Sequence, residues 1–147
     1  RQRRIMGVST QSIGEVQQEI VDTFSFLEEW TDRYQHIIDL GRETDNFPEE
    51  LKVDSNLIAG CQSQVWISSK MEDGRLFFQA TSDSAIVKGL VYLLLMVYSG
   101  REPKEILNTP PSFIKEISLS EHLSPTRSNG LASMVSTIMR IASGQNS

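Results

Sequence analysis

The segment Ala85–Tyr98, AIVKGLVYLLLMVY, constrains the fold more than any other part of the chain. From Leu90 to Tyr98 it offers an apolar side chain on every face of a helix, so protein must enclose it on all sides. Its 14 residues, with Lys88 among them, are too few to cross a bilayer, and nothing here resembles a secretory signal. Ser82 or Asp83 is placed to cap this helix and Gly100 to stop it. The rest of the sequence has to supply its walls.

Two walls read as helices. Ile13, Val16, Ile20, Phe24 and Leu27 form one stripe over Ser12–Leu27. Trp30, Tyr34, Ile37 and Ile38 face inward from a second helix over Thr31–Leu40, with Gly41 as its expected left-handed C-cap. Residues 42–56 are polar and read as a loop with one turn at Pro48–Leu51. Ser63–Lys70 (SQVWISSK) and Arg75–Thr81 (RLFFQAT) are rich in β-branched and aromatic residues, and Asp73-Gly74 between them supplies the positive φ of a hairpin. Leu57–Ala59 is a candidate short third strand. Pro103–Leu107 and Pro111–Ile117 read as short helices opened by proline. Ser124–Ala142 closes the chain, with Leu131, Val135, Ile138 and Ala142 on one face. The expected class is α+β: a small antiparallel sheet of two to three strands covered by helices.

At 147 residues, one domain over 1–147 is expected, large enough to bury a core without staples. Arg1–Ile5 precede Met6, read as the natural start, and are set aside as an expression remnant or disordered leader. The formal charge of −5 argues against nucleic acid as a partner. Its distribution is uneven: residues 15–54 hold 12 acids and 3 bases, a solvated helical face or a surface for a basic partner. One cysteine excludes an internal disulfide, a CxxC redox pair and a thiolate cage for metal within one chain. No metal or cofactor site is expected in the chain, and a thiol-reducing cytoplasm is the expected setting.

The cysteine stands in Gly60-Cys61-Gln62-Ser63-Gln64-Val65-Trp66. A lone cysteine is by default a small apolar packing residue. Cys61, however, follows a glycine, sits among polar residues and precedes a strand, so it is expected on a bend at a sheet edge. Gly60 permits a turn that exposes the thiol, and Gln62, Ser63 and Gln64 bring donors for a thiolate or persulfide anion. Such a loop is expected to tuck Cys61 against apolar residues near Trp66 and to swing out on docking. Arg127 falls at the third position of a helix capped by Ser124, where a cation opposes the dipole, and Gly130 costs that helix about 1 kcal/mol relative to alanine. Arg127 therefore reads either as the mouth of the cysteine site or as an ion pair with the acidic helices. His122 reads as a base for Cys61 or as a packing residue bonded to a loop carbonyl. Trp66 reads as core, Asp83 as a cap and Lys88 as a snorkelling stem.

These blocks also carry a resemblance. GCQSQVW at Gly60–Trp66 resembles the signature of the SufE family of sulfur-acceptor proteins. SDSAIVKGL at Ser82–Leu90 is similar to the family's helix after the sheet, and HLSPTRSNGL at His122–Leu131 to its H-L-[ST]-P-[ST]-R-x-x-G-L segment. Trp30–Gly41 is similar to its second helix. The resemblance runs from Val16 to Ala142 and implies a fold shared with the U-type iron–sulfur scaffolds. It implies a carrier that takes sulfur as a persulfide on Cys61 from a cysteine desulfurase of the SufS or CsdA type, stimulating that enzyme. Pyridoxal phosphate belongs to the donor. The sulfur then passes to a SufBCD-like scaffold or, in a CsdE-like branch, to another pathway. Without the scaffolds' further cysteines, this chain is expected to carry sulfur and not to assemble a cluster. A homodimer is compatible with the sequence and not demanded by it. The competing readings are a cysteine-dependent hydrolase or transferase using Cys61 with His122, and a binding module in which Cys61 is inert.

Overall fold

The computed structural model describes residues 11–145, and Arg1–Ile5, expected to be a remnant or leader, lie outside them. Helix α1, Ile13–Phe26, starts at a capping box: Glu15 N–H donates to Ser12 Oγ at 3.1 Å and Ser12 N–H to the Glu15 carboxylate at 2.8 Å. It buries Ile13, Val16, Ile20 and Phe24 of the expected stripe, while Leu27, its fifth member, follows the helix as the C-cap and is half-buried. Helix α2, Trp30–Gly41, follows after a tight corner. Residues 42–56 form three separate single 3₁₀ turns, the middle one, Glu49–Leu51, directly after Pro48.

Strands β1, Val65–Glu72, and β2, Arg75–Ser82, pair antiparallel across Asp73-Gly74, both at positive φ (53° and 79°). The two-residue turn lets β1 run on to Glu72, beyond the expected end at Lys70. The candidate third strand is a single bridge, Leu57 to Trp66, with Ile58 N–H donating to the Val65 carbonyl at 2.8 Å. Helix α3, Ala85–Tyr98, is capped by Ser84, whose Oγ accepts from Val87 N–H, and not by Ser82 or Asp83, which are engaged elsewhere. Gly100, at φ 83°, ends the connection behind it. Helix α4 is Pro103–Asn108 with proline in its first turn. Helix α5, Phe113–Glu116, begins after Pro111, because both prolines are taken up in the preceding turn closed by Ser112 N–H on the Pro110 carbonyl. Helix α6, Pro125–Gln145, buries Leu131, Met134, Ile138 and Ala142, with Val135 only half-buried.

The architecture of the described residues is thus α+β, a two-stranded antiparallel sheet with six α-helices. Its centre is α3, in contact with α1, α2, α6 and β2, and buried along Leu90, Val91, Leu93, Leu94, Leu95, Val97 and Tyr98. Among the described residues no helix is long and apolar enough to cross a membrane. Lys88 lays its stem along this core and pairs with Asp45 at 2.7 Å.

The expected role of Gly41 is corrected. Its φ is −62°, ordinary helix, so no left-handed cap forms. Its missing side chain serves contact instead: a Cβ there would stand 2.7 Å from Gly89 N and from Lys88 Cβ. On the facing helix, a Cβ on Gly89 would stand 1.9 Å from the Ile37 carbonyl oxygen. The backbones of α2 and α3 touch through this glycine pair. Gly89→Ala is therefore expected to lower unfolding free energy by at least about 3 kcal/mol, the upper end of ordinary overpacking. Denaturant titration monitored by circular dichroism measures it, and a wild-type midpoint would refute the contact.

Candidate functional site

Between Ile58 and Val65 the chain leaves the sheet in a short arch whose two roots are pinned. Ile58 and Leu57 tie one root to Val65 and Trp66. At the other, the Gln64 carbonyl accepts from Ser82 Oγ at 2.7 Å and from Asp83 N–H at 3.2 Å, while Gln64 N–H donates to Asp83 Oδ1 at 3.2 Å. That is where the two expected helix caps are engaged. Gly60 turns the arch at φ 86°, a conformation that favours glycine. Cys61 follows, half-buried, with Gln62 and Gln64 exposed and Ser63 half-buried.

The other side of the site is α6. Its start is set by Ser124, whose Oγ accepts from Arg127 N–H at 3.2 Å, and by Ser128 Oγ donating to the Ser120 carbonyl. From that start the helix presents Gly130 to the thiol, and Cys61 Sγ–H donates to the Gly130 carbonyl at 3.6 Å. An added Cβ on Gly130 would also stand 3.6 Å from Sγ, ordinary contact. Burial pushes the Cys61 thiol above its ordinary pKa.

The remaining candidates separate. Arg127 is exposed on the first turn of α6, and no described carboxylate forms an ion pair with it. His122 stacks on Trp30, ring centroids 3.9 Å apart at 14°, and its Nδ1 lies 3.1 Å from the Ser118 carbonyl. Tyr34 donates its hydroxyl to the His122 carbonyl. With Trp30 and Arg33, His122 lines a shallow cleft that does not include Cys61. Trp66 is buried at the foot of the arch. Among the described residues no group of three or more His, Cys, Asp or Glu is placed to hold a metal ion.

A family model described as SufE, Fe–S metabolism associated domain, matches residues 18–142. The chain belongs to the SufE family. It is 40% identical over 132 residues to an uncharacterized SufE-like protein of Rhizobium meliloti (strain 1021), covering 86% of this chain and 94% of that protein. A SufE-like protein of Rhizobium etli, likewise named uncharacterized, is 41% identical over 125 residues, covering 82% and 84%. The solution structure of a hypothetical protein from Thermus thermophilus superposes with a TM-score of 0.72 at 19% identity, over 88% of this chain and 94% of the other, a likeness of fold. SufE membership ties the chain to iron–sulfur metabolism and supports a sulfur-acceptor role, with a cysteine desulfurase as the general kind of partner.

In this SufE chain the donors expected from Gln62, Ser63 and Gln64 make no hydrogen bond to Sγ; the one polar partner of the thiol among the described residues is a backbone carbonyl, an acceptor. Ser133 escaped sequence reasoning altogether: a Cβ on Gly60 would stand 2.5 Å from its Oγ. The signal for it was the face it shares with Gly130, three residues earlier on α6.

Because the folded chain holds the thiol proton more tightly than a free cysteine does, iodoacetamide alkylation of the native protein is expected to reach half its maximal rate above about pH 8.5. The same shift makes folding stability insensitive to Cys61 below that pH and lower as pH rises through the native value. A midpoint at or below that of a model thiol refutes both. Gly130→Ala, in contrast, places its methyl at contact distance without a clash. It is expected to raise unfolding free energy by about 1 kcal/mol through helix propensity, while slowing Cys61 alkylation; thermal melts and alkylation rates measure the pair.

Proposed function

We propose that Cys61 accepts sulfur as a persulfide from a cysteine desulfurase and hands it to an iron–sulfur assembly scaffold. The observation that carries this reading is the placement of the chain's one cysteine. It stands on an arch pinned at both roots, half-buried against α6, within the GCQSQVW block. The arch is short enough to hold the thiol in place, and Cys61 at its crest is the residue that an opening of the arch would deliver to a partner.

The transfer is a thiol exchange. The Cys61 thiolate attacks the outer sulfur of the donor's persulfide; the donor's S–S bond breaks, the Cys61 S–S bond forms, and the electron pair of the broken bond leaves on the donor's thiolate. No external oxidant or reductant is needed. At rest the raised pKa keeps the sulfur protonated, which limits stray oxidation. Arg127, exposed on the first turn of α6, is then available to a docking desulfurase. A hydrolase using Cys61 with His122 has no comparable support, since the imidazole is stacked on Trp30 and bonded at Ser118.

Intact-mass spectrometry tests the reading. After incubation with a SufS-type desulfurase and L-cysteine, the wild type is expected one sulfur atom heavier, with the addition reversed by dithiothreitol and absent from Cys61→Ser. An unmodified wild type, or equal sulfur on the variant, overturns it. Full stimulation of the desulfurase by Cys61→Ser would favour an inert-cysteine binding module instead.

A further inference from the structure

Helix α1 turns one large apolar side chain outward. Its buried stripe ends at Phe24, and Phe26, two residues on, lies about 200° further round the helix. Phe26 is 89% exposed, against 43% for Val53 and Met71, the other exposed large apolar side chains among the described residues. Its neighbour Ser25 lines the shallow cleft at the corner between α1 and α2, together with Trp30, Arg33, Ser118 and His122.

The surroundings carry charge of one sign. From Asp22 to Asp32 there are four acids, Asp22, Glu28, Glu29 and Asp32, and no base. All four are exposed, and none belongs to an ion pair among the described residues. Arg33, next in the chain, is engaged within the corner: its Nε donates to the Leu27 carbonyl, and its guanidinium lies 4.9 Å from the Trp30 ring. An aromatic anchor inside a polar rim is the anatomy of a protein interface. The sign of this rim limits what can cover it. A second copy across a two-fold axis would set these acids against themselves, and nucleic acid or an anionic membrane would be repelled as well. What fits is a protein surface with an apolar socket rimmed by Lys and Arg.

The corner is also within reach of the thiol. His122, on the cleft, stands three residues before Pro125 opens α6, and Gly130, whose carbonyl accepts from Cys61, comes five residues later. Those steps span at most about 20 Å. A standard interface covers about 800 Å² of each partner, a patch about 30 Å across. One partner can cover both.

We propose that the α1–α2 corner, with Phe26 as anchor and Asp22, Glu28, Glu29 and Asp32 as rim, is a docking surface for a basic face of the desulfurase that loads Cys61. The surface rests on the sulfur-carrier reading and adds to it recognition away from the reacting atoms. It sets how tightly the donor is held and leaves the thiol's own chemistry alone.

Stimulation of a SufS-type desulfurase, measured against the concentration of the full chain, tests this. Phe26 lies outside the core, so Phe26→Ser keeps the fold. It is expected to raise the half-saturating concentration about tenfold with maximal stimulation unchanged. Glu28→Lys with Glu29→Lys is expected to raise it at low salt and to flatten the salt dependence shown by the wild type. Met71→Ser, the same kind of loss at the hairpin, is expected to match the wild type. In every variant Cys61 is expected to load normally with inorganic polysulfide, its thiolate taking a terminal sulfur and releasing a polysulfide one sulfur shorter. Half-saturation unchanged in Phe26→Ser, or raised equally by Met71→Ser, overturns the surface while the carrier reading stands. Self-association of the wild type that Phe26→Ser abolishes in sedimentation assigns the corner to a second copy and overturns it too. A wild type that takes no sulfur from the desulfurase overturns the carrier reading and this surface with it.

Discussion

The structure depends on how closely two helices approach. α3 is apolar on every side and is stable only when surrounded, and α2 supplies one wall by bringing its backbone onto that of α3 at Gly41 and Gly89. Side chains at either position would separate the helices and open the interior around Ile37 and Leu90, both buried. The consequences extend beyond packing. The residues just ahead of α3, Ser82 and Asp83, hold Gln64 at one root of the cysteine arch. A shift of α3 relative to its walls would carry that root with it, so the same contact that closes the core also fixes where the arch begins.

The electrostatics of the site follow from its position. Most of the negative charge lies on α1, α2 and the turns up to Asp54, and desolvation is the cause that raises the Cys61 pKa. A thiol in such surroundings is a poor nucleophile, because the thiolate is the reactive form. Reactivity must then come from leaving the half-buried position, either by opening of the arch or through groups a partner brings. Arg127 is exposed and unpaired with any described carboxylate. Its cost at the start of α6 is offset by the Ser124 cap on the same turn.

Much of this was legible in the sequence, and the misses share a physical cause. The hairpin followed from Asp73-Gly74, the α1 stripe from its spacing, and the bend at Cys61 from the preceding glycine. Each is a local property of the backbone or of periodicity. Gly41 was misread because a glycine after a helical stripe has two uses, and only the distant partner Gly89 decides between them. Asp83 was misread for the same reason: its carboxylate is equally able to cap a helix or to hold Gln64, and Ser84 already serves as the cap. The meeting of Cys61 with Gly130 joins residues 69 apart in sequence. No local rule reaches that far; what the sequence showed at Gly130 was only a break in helix propensity without its reason.

On the sulfur-carrier reading, a single thiol also sets the order of events. One atom must both receive and deliver, so donor and acceptor proteins must approach it by the same opening and in turn. A site held permanently open would serve both but would expose the sulfur between visits to any oxidant or stray thiol. A site sealed in the core would serve neither. The arch lies between these extremes: its roots are tied by backbone and side-chain hydrogen bonds, while at its crest Cys61 is held to α6 by a weak sulfur–carbonyl hydrogen bond. Weakness there has a use. The contact that must break in each direction of transfer is the one that costs least, and the bonds that keep the arch in register with the sheet are left intact.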